Sequence, residues 1–169
     1  GRRVLALLQI GDWAKASREL RYLYGQASSV QRYDMMMFAV THNMPGLAFR
    51  LADLHFRDTG EAFNLALYPQ PETHVNFDID PAIIYGIIRK ESSFYPLARS
   101  RVRASGLMQI MPATAAFISK DRSFLNVNRH LLNNPDINLK LGQDYILHLL
   151  ETAVVDQHLF KLLIAYNAG

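Results

Sequence analysis

Cysteine is absent from all 169 residues, which closes off any reading of redox compartment. No apolar run is long enough to cross a bilayer, so no integral membrane segment is expected. No basic cluster interleaved with aromatics appears: 18 Lys and Arg against 15 Asp and Glu give a net charge of +3 and a pI near 9.3, but the positive residues are scattered. That pattern speaks against a nucleic-acid partner and stays compatible with an acidic polymer. The six histidines (His42, His55, His74, His130, His148 and His158) include no metal-spaced pair, and they read as surface or capping residues. Asp78-Ile79-Asp80 lacks the rest of a calcium loop and is better explained by helix capping. Phosphate loops, dinucleotide fingerprints and nucleophile elbows are missing, and no serine has an obvious histidine partner. Neither a metal nor a cofactor is expected. The chain opens Gly1-Arg2-Arg3, without methionine or the apolar stretch of a signal peptide, as a processed or cropped N-terminus does. The missing leader is therefore no argument for the cytoplasm.

What is present is helical. Half the residues are hydrophobic and a fifth are charged, the balance of an ordered globular chain. Asp12 is placed to cap a helix carrying Trp13, Ala16, Leu20, Leu23 and Tyr24. Ser28 or Ser29 opens a second, through Tyr33, Met36, Met37 and Val40. Pro45 opens a third, with Leu47, Leu51 and Leu54. These read as antiparallel hairpins of a helical-repeat scaffold, although no fixed period supports the repeat. The run Met35-Met36-Met37 reads as core filling rather than a binding box.

Tyr68-Pro69-Gln70-Pro71 is a breaker cluster, and a boundary is expected between residues 65 and 79. Beyond it strand signals are scarce. Asp80-Pro81 reads as an N-cap followed by proline at the first helical position. Ile83, Ile84, Ile87 and Ile88 recur at helical spacing, and Glu91 continues the same face. Ser92-Ser93 and Tyr95-Pro96 end that helix just beyond the carboxylate. A small strand-like patch is expected between Tyr95 and Ile110. Further helices open at Pro112, at Asn134-Pro135-Asp136 and at Asp156, the last with Leu159, Leu162, Leu163 and Tyr166 on one face.

Glu91 is the candidate for chemistry. Burial and the negative end of the helix dipole both disfavour a charged carboxylate, so they raise its pKa toward the range of a proton donor at neutral pH. Two plainer readings stand beside this one. Glu91 can turn into solvent at a frayed helix end, or pair with Arg99, Arg101 or Arg103.

Three segments then resemble the motifs of the soluble lytic transglycosylase family: Glu91-Ser92-Ser93-Phe94; Ala104-Ser105-Gly106-Leu107-Met108-Gln109-Ile110-Met111-Pro112-Ala113-Thr114-Ala115; and Ala165-Tyr166-Asn167-Ala168-Gly169. The lead-in Asp80 to Arg89 and the stretch Asn138 to Tyr145 are also similar to that family. The resemblance runs in order from about residue 70 to 169. It implies an all-α chain: a lysozyme-like, goose-type catalytic domain over residues 71–169, preceded by a superhelical helix-hairpin region over residues 1–70. In the family the chain runs on past the third motif with helices that complete the cleft. The resemblance therefore implies a catalytic domain that stops short here, exposing the face that carries Leu163 and Tyr166, and unstable or inactive alone.

The activity implied is cleavage of bacterial peptidoglycan between N-acetylmuramic acid and N-acetylglucosamine, without water, by a periplasmic monomer. Glu91 is the single acid and base the resemblance implies. It protonates the glycosidic oxygen while the substrate's own acetamido group supports the oxocarbenium-like centre, as in substrate-assisted glycosidases. It then takes the proton of the C6 hydroxyl as a 1,6-anhydro ring closes. Ser100, Gln109, Met111, Tyr166 and Asn167 are the implied substrate contacts, with Tyr166 positioning the acid, Met108 packing beneath the site and Gly106 allowing close backbone approach to the sugar. Met111, Tyr166 and Asn167 also admit purely structural readings, as core, buried phenol and helix cap. Two rivals remain: a hydrolytic muramidase, which needs a second carboxylate, and a non-catalytic wall-binding module, whose mark is loss of the acid.

Overall fold

The computed structural model describes residues 2–152 and 154–168, leaving aside the side chain of Trp13. Gly169, the last residue of the third motif, lies outside the described residues. The chain divides into two compact units, Gly1–Pro71 and Glu72–Gly169. Among the described residues the regular structure is helical, and no helix is long and apolar enough to cross a membrane.

The first unit holds five helices: α1 (Arg2–Gln9), α2 (Trp13–Tyr24), α3 (Ser29–Thr41), α4 (Pro45–Thr59) and α5 (Asn64–Leu67). Their starts follow the sequence. Asp12 accepts a hydrogen bond from the Lys15 amide at 3.1 Å, and Ser28 and Gln31 form a reciprocal capping box. Gly60, in the left-handed region, closes α4. One continuous core joins Ala16, Leu20, Met36, Ala39, Leu47, Leu51 and Leu67. Met36 is fully buried and Met35 packs against the core, as core filling requires, but Met37 faces out. Leu54 also departs from the expected face. It is 40% exposed, and Ala48, Ala52 and His55 line the buried side of α4 instead. Alanines there let α4 lie close to its neighbours. Helices α1 and α5 carry too few apolar periods to be visible in advance.

The second unit holds α6 (Pro81–Ser92), α7 (Pro112–Ser119), two 3-10 segments (Arg122–Leu125 and Val127–Asn133), α8 (Pro135–Leu150) and α9 (Leu159–Ala168). The strand-like patch is two isolated bridges, Arg99 to Ser105 and Ser105 to Ile110. Helix α8 organises the irregular segments around it. Asp136 at its first turn accepts from the Thr73 hydroxyl at 2.8 Å and the His74 amide at 3.2 Å. Gln143, fully buried, accepts from the Asp78 amide at 2.8 Å and donates to the Asn76 carbonyl at 3.2 Å. The approach to α6 is thus set by side chains of a helix more than sixty residues later. Helix α9 opens at Leu159 rather than at Asp156, because Asp156 and Gln157 both have positive φ, which interrupts the helix there.

Candidate active site

Helix α6 ends as its sequence dictates. Asp80 caps it through the Ala82 amide at 2.8 Å, and Pro81 follows at its first position. Ile84, Ile87 and Ile88 are buried. In the last turn the buried Ser92 hydroxyl donates to the Ile88 carbonyl at 3.1 Å. Ser93 and Phe94 then adopt φ of 51° and 62°, which stops the helix, and Phe94 is driven fully into the core. A bulky aromatic seldom takes that conformation, so its burial must hold it there. The consequence is that Glu91 occupies a fixed place at the C-terminal turn.

Glu91 is half-buried, less enclosed than the apolar stripe alone implies. The ion pair with Arg99, Arg101 or Arg103 does not form among the described residues. Instead Glu91 lines a cavity of about 930 Å³, a trough between α6 and α9. Ile83, Gly86 and Ile87 line the same wall, and Leu159, Leu163, Tyr166 and Asn167 line the opposite one. Of the expected face of α9 only Leu162 is buried in the fold. Leu159 and Leu163 stay about half exposed in the trough.

Tyr166 joins the third motif to the second. Its hydroxyl donates to the Met108 carbonyl at 2.8 Å, and its ring lies 5.4 Å from that of Tyr145. Burial pushes the Tyr166 phenol far above its ordinary value of 10.0, and the Glu91 carboxylate and Tyr145 add to the shift. The phenol is therefore a permanent donor within electrostatic reach of Glu91.

The second motif is pinned from below. Asn138, fully buried on α8, accepts from the Met108 amide at 2.7 Å. Its amide nitrogen donates to the carbonyls of Ser105 and Leu132 at 2.8 and 2.9 Å. All of its hydrogen-bonding atoms act on backbone. Gly106, at φ +83°, makes a close approach, but to Asn138 and Leu132 rather than to a ligand: a Cβ there would stand 2.2 Å from the Leu132 carbonyl oxygen. Gly142 leaves the room that the Met108 sulfur fills, since a Cβ would meet it at 2.2 Å. Met108 is fully buried beneath the motif, as expected.

Residues 71–169 match the family profile described as the Transglycosylase SLT domain. The chain belongs to this family. It is 35% identical over 102 residues to the membrane-bound lytic murein transglycosylase C of Haemophilus influenzae strain PittEE, and 34% identical over 101 residues to that of Edwardsiella ictaluri. Each alignment covers 55% of this chain and 28% of the relative, so the chain spans little more than a quarter of those proteins. The crystal structure of the 70 kDa soluble lytic transglycosylase of Escherichia coli matches 99% of this chain and 27% of its own, at 26% identity and a TM-score of 0.69. The same enzyme in complex with bulgecin A matches at 26% identity and a TM-score of 0.71.

Within this SLT domain the expected site residues fall into two groups. Glu91, Tyr166 and Asn167 come together on the trough. Ser100, Gln109 and Met111 do not line it. The Ser100 hydroxyl oxygen accepts from the Ala104 amide at 3.0 Å and closes a turn. Gln109, at φ 49°, donates its amide to the carbonyls of Ala98 and Gly106 at 3.1 and 2.9 Å. Met111 is the N-cap residue of α7 and half-buried. Sequence reasoning missed Asn138 and Gln143 as individuals. The signal that marks them is a polar amide at helical spacing from apolar residues of α8, Leu141 for Asn138 and Leu139 and Ile146 for Gln143.

Proposed function

We propose that residues 71–169 are the catalytic part of a peptidoglycan lytic transglycosylase, with Glu91 as its single acid and base. The observation that carries this reading is the pairing of Glu91 with an otherwise carboxylate-poor trough. Among the described residues Asp80 is the only other acidic one on its lining, and it caps the opposite end of α6. Eleven residues of helix at 1.5 Å each separate the two by about 16 Å. Paired-carboxylate glycosidases need roughly 5–9.5 Å between their acids, whether the second one attacks the sugar or activates water. The trough thus favours an internal nucleophile over water. Glu91 gives its proton to the leaving oxygen, and the C6 hydroxyl of the same sugar attacks C1 as Glu91 takes its proton back. Tyr166 acts as a positioning residue, tying the wall beside Glu91 to the second motif. Asn167, on the trough, is assigned to the glycan from its place there; Ser100, Gln109 and Met111 stand off the trough and are assigned to the glycan by the family resemblance of their segment alone. A wall substrate supports a cell-envelope location; we assign the periplasm as the compartment and the monomer as the working form.

The test is the full-length parent protein against its Glu91→Gln variant on purified peptidoglycan, with released muropeptides weighed by mass spectrometry. Anhydro-muropeptides are expected, reduced about 10²- to 10⁴-fold in the variant. Hydrated reducing ends would replace this reading with a hydrolase, and no release from either protein would leave a wall-binding module.

A further inference from the structure

Away from the trough, one group of charges lacks counter-ions. Arg99, Arg101 and Arg103 are exposed on the loop that carries Ser100. Arg129 stands on the 3-10 segment Val127–Asn133, half-buried, with its Nε buried and without a hydrogen-bond partner. Asn138 holds the two segments side by side through the carbonyls of Ser105 and Leu132. Desolvation, then the guanidiniums of Arg99 and Arg103, lower the pKa of Arg129, and no carboxylate acts against them. An arginine so shifted is still a full cation at neutral pH. Among the described residues none of the four forms an ion pair.

Grouped like charges repel, so the fold keeps this cluster against an electrostatic cost. The backbone points the same way. Arg103 has φ 74°, a conformation in which glycine would be unstrained. An arginine kept there argues for a use of its side chain. The planar guanidinium fork is suited to a carboxylate, and two or three forks around one point suit it better.

We propose that Arg99, Arg103 and Arg129 form an anion site for the carboxylates of the wall peptide. The inference rests on the peptidoglycan reading above. The N-acetylated sugars of that polymer are neutral once the lactyl carboxyl is amide-linked, so the counter-charge must come from the peptide. Ser100, assigned to the glycan, lies on the same loop as Arg99 and Arg103, which puts the sugar and its peptide within reach of one segment.

The test compares the protein with an Arg99→Gln/Arg103→Gly variant, chosen because glycine suits the backbone at residue 103. Binding of a soluble stem tetrapeptide is measured by titration calorimetry at two salt concentrations, with the carboxyl-amidated peptide as control. KM is measured on glycan strands with peptides and on strands stripped of them. The variant is expected to lose about tenfold or more in tetrapeptide affinity and to raise KM by a similar factor on peptide-bearing strands only. Equal binding of the amidated peptide, or an equal KM change on stripped strands, overturns the site. Should neither protein cleave any strand, the activity reading fails, and the tetrapeptide titration still decides the anion site.

Discussion

The two units are held together by different means. In Gly1–Pro71 the buried residues are almost all apolar, and His55 is the one buried polar side chain among those described. Its helices need caps and a periodic face. In Glu72–Gly169 the buried set includes Ser92, Ser105, Asn138 and Gln143. Asn138 and Gln143 spend their side chains on the backbone of segments that are not helical. A scaffold can be built from helix packing alone. A site assembled from loops must satisfy irregular backbone in its interior, and buried amides carry both a donor and an acceptor for that purpose.

The comparison breaks most clearly on two substitutions of similar expected cost. Leu51→Ala opens a cavity in the fully buried centre of α4 and should lower stability by about 2–5 kcal/mol, leaving kcat of the folded protein unchanged. Asn138→Ala strands the Met108 amide and the Leu132 carbonyl in the interior, at about 1–3 kcal/mol for each group left unsatisfied, and takes one of two donors from the Ser105 carbonyl, which keeps the Ile110 amide at 3.0 Å. It should also reduce kcat, because Met108 and the Tyr166 hydroxyl bonded to its carbonyl lose their support. Denaturant unfolding together with turnover separates the cases. Full activity in Asn138→Ala would show that the amide serves the fold alone.

The same contrast explains what the sequence made legible. Caps and apolar spacing are local, so Asp12, Ser28, Pro45, Asp80 and Asn134 announce their helices, and the three motifs announce the family. Leu54 was misplaced because spacing alone does not say that alanines line the tight contact. The half-burial of Glu91 depends on how far α9 stands from α6, which no local pattern contains. Asn138 lies 30 residues from the amide it holds and Gln143 lies 65 from its own, so neither announces its partner. Arg129 and Arg103 belong together only through Asn138.

A smaller effect sharpens the role of the third motif. Tyr166→Phe removes one hydrogen bond, to the Met108 carbonyl, and should cost about 1 kcal/mol of stability. The upward shift of this phenol keeps the hydroxyl protonated through the alkaline range in which free tyrosine ionises. The unfolded chain ionises at this group near pH 10 and the folded chain does not, so the parent should lose stability relative to Tyr166→Phe as pH rises above 10. A fall in kcat with little change in KM would mark Tyr166 as positioning Glu91. An unchanged kcat would leave it as a strut between motifs.

The smallest expected effects compare one cap from each unit. Asp12 and Asp121 both accept from a backbone amide at a helix start, and both carboxyls lie below their ordinary value of 3.8. The causes differ. Lys15 bonds Asp12 and forms an ion pair with it at 2.7 Å, whereas Ser123 holds Asp121 by hydrogen bonds first. A carboxyl depressed in the folded state contributes stability above its unfolded pKa and loses it as pH falls through the folded value. The gap between the parent and Asp12→Ala should thus be full near neutrality and close below pH 3.8, and Asp121→Ala should behave alike. Salt should distinguish them, since it screens the exposed Lys15 charge and leaves the neutral Ser123 bonds largely intact. Thermal unfolding at low and high ionic strength reads this directly. If both gaps shrank equally with salt, the contrast between an ion-paired cap and one held by neutral donors would fail at the two sites where it is simplest to measure.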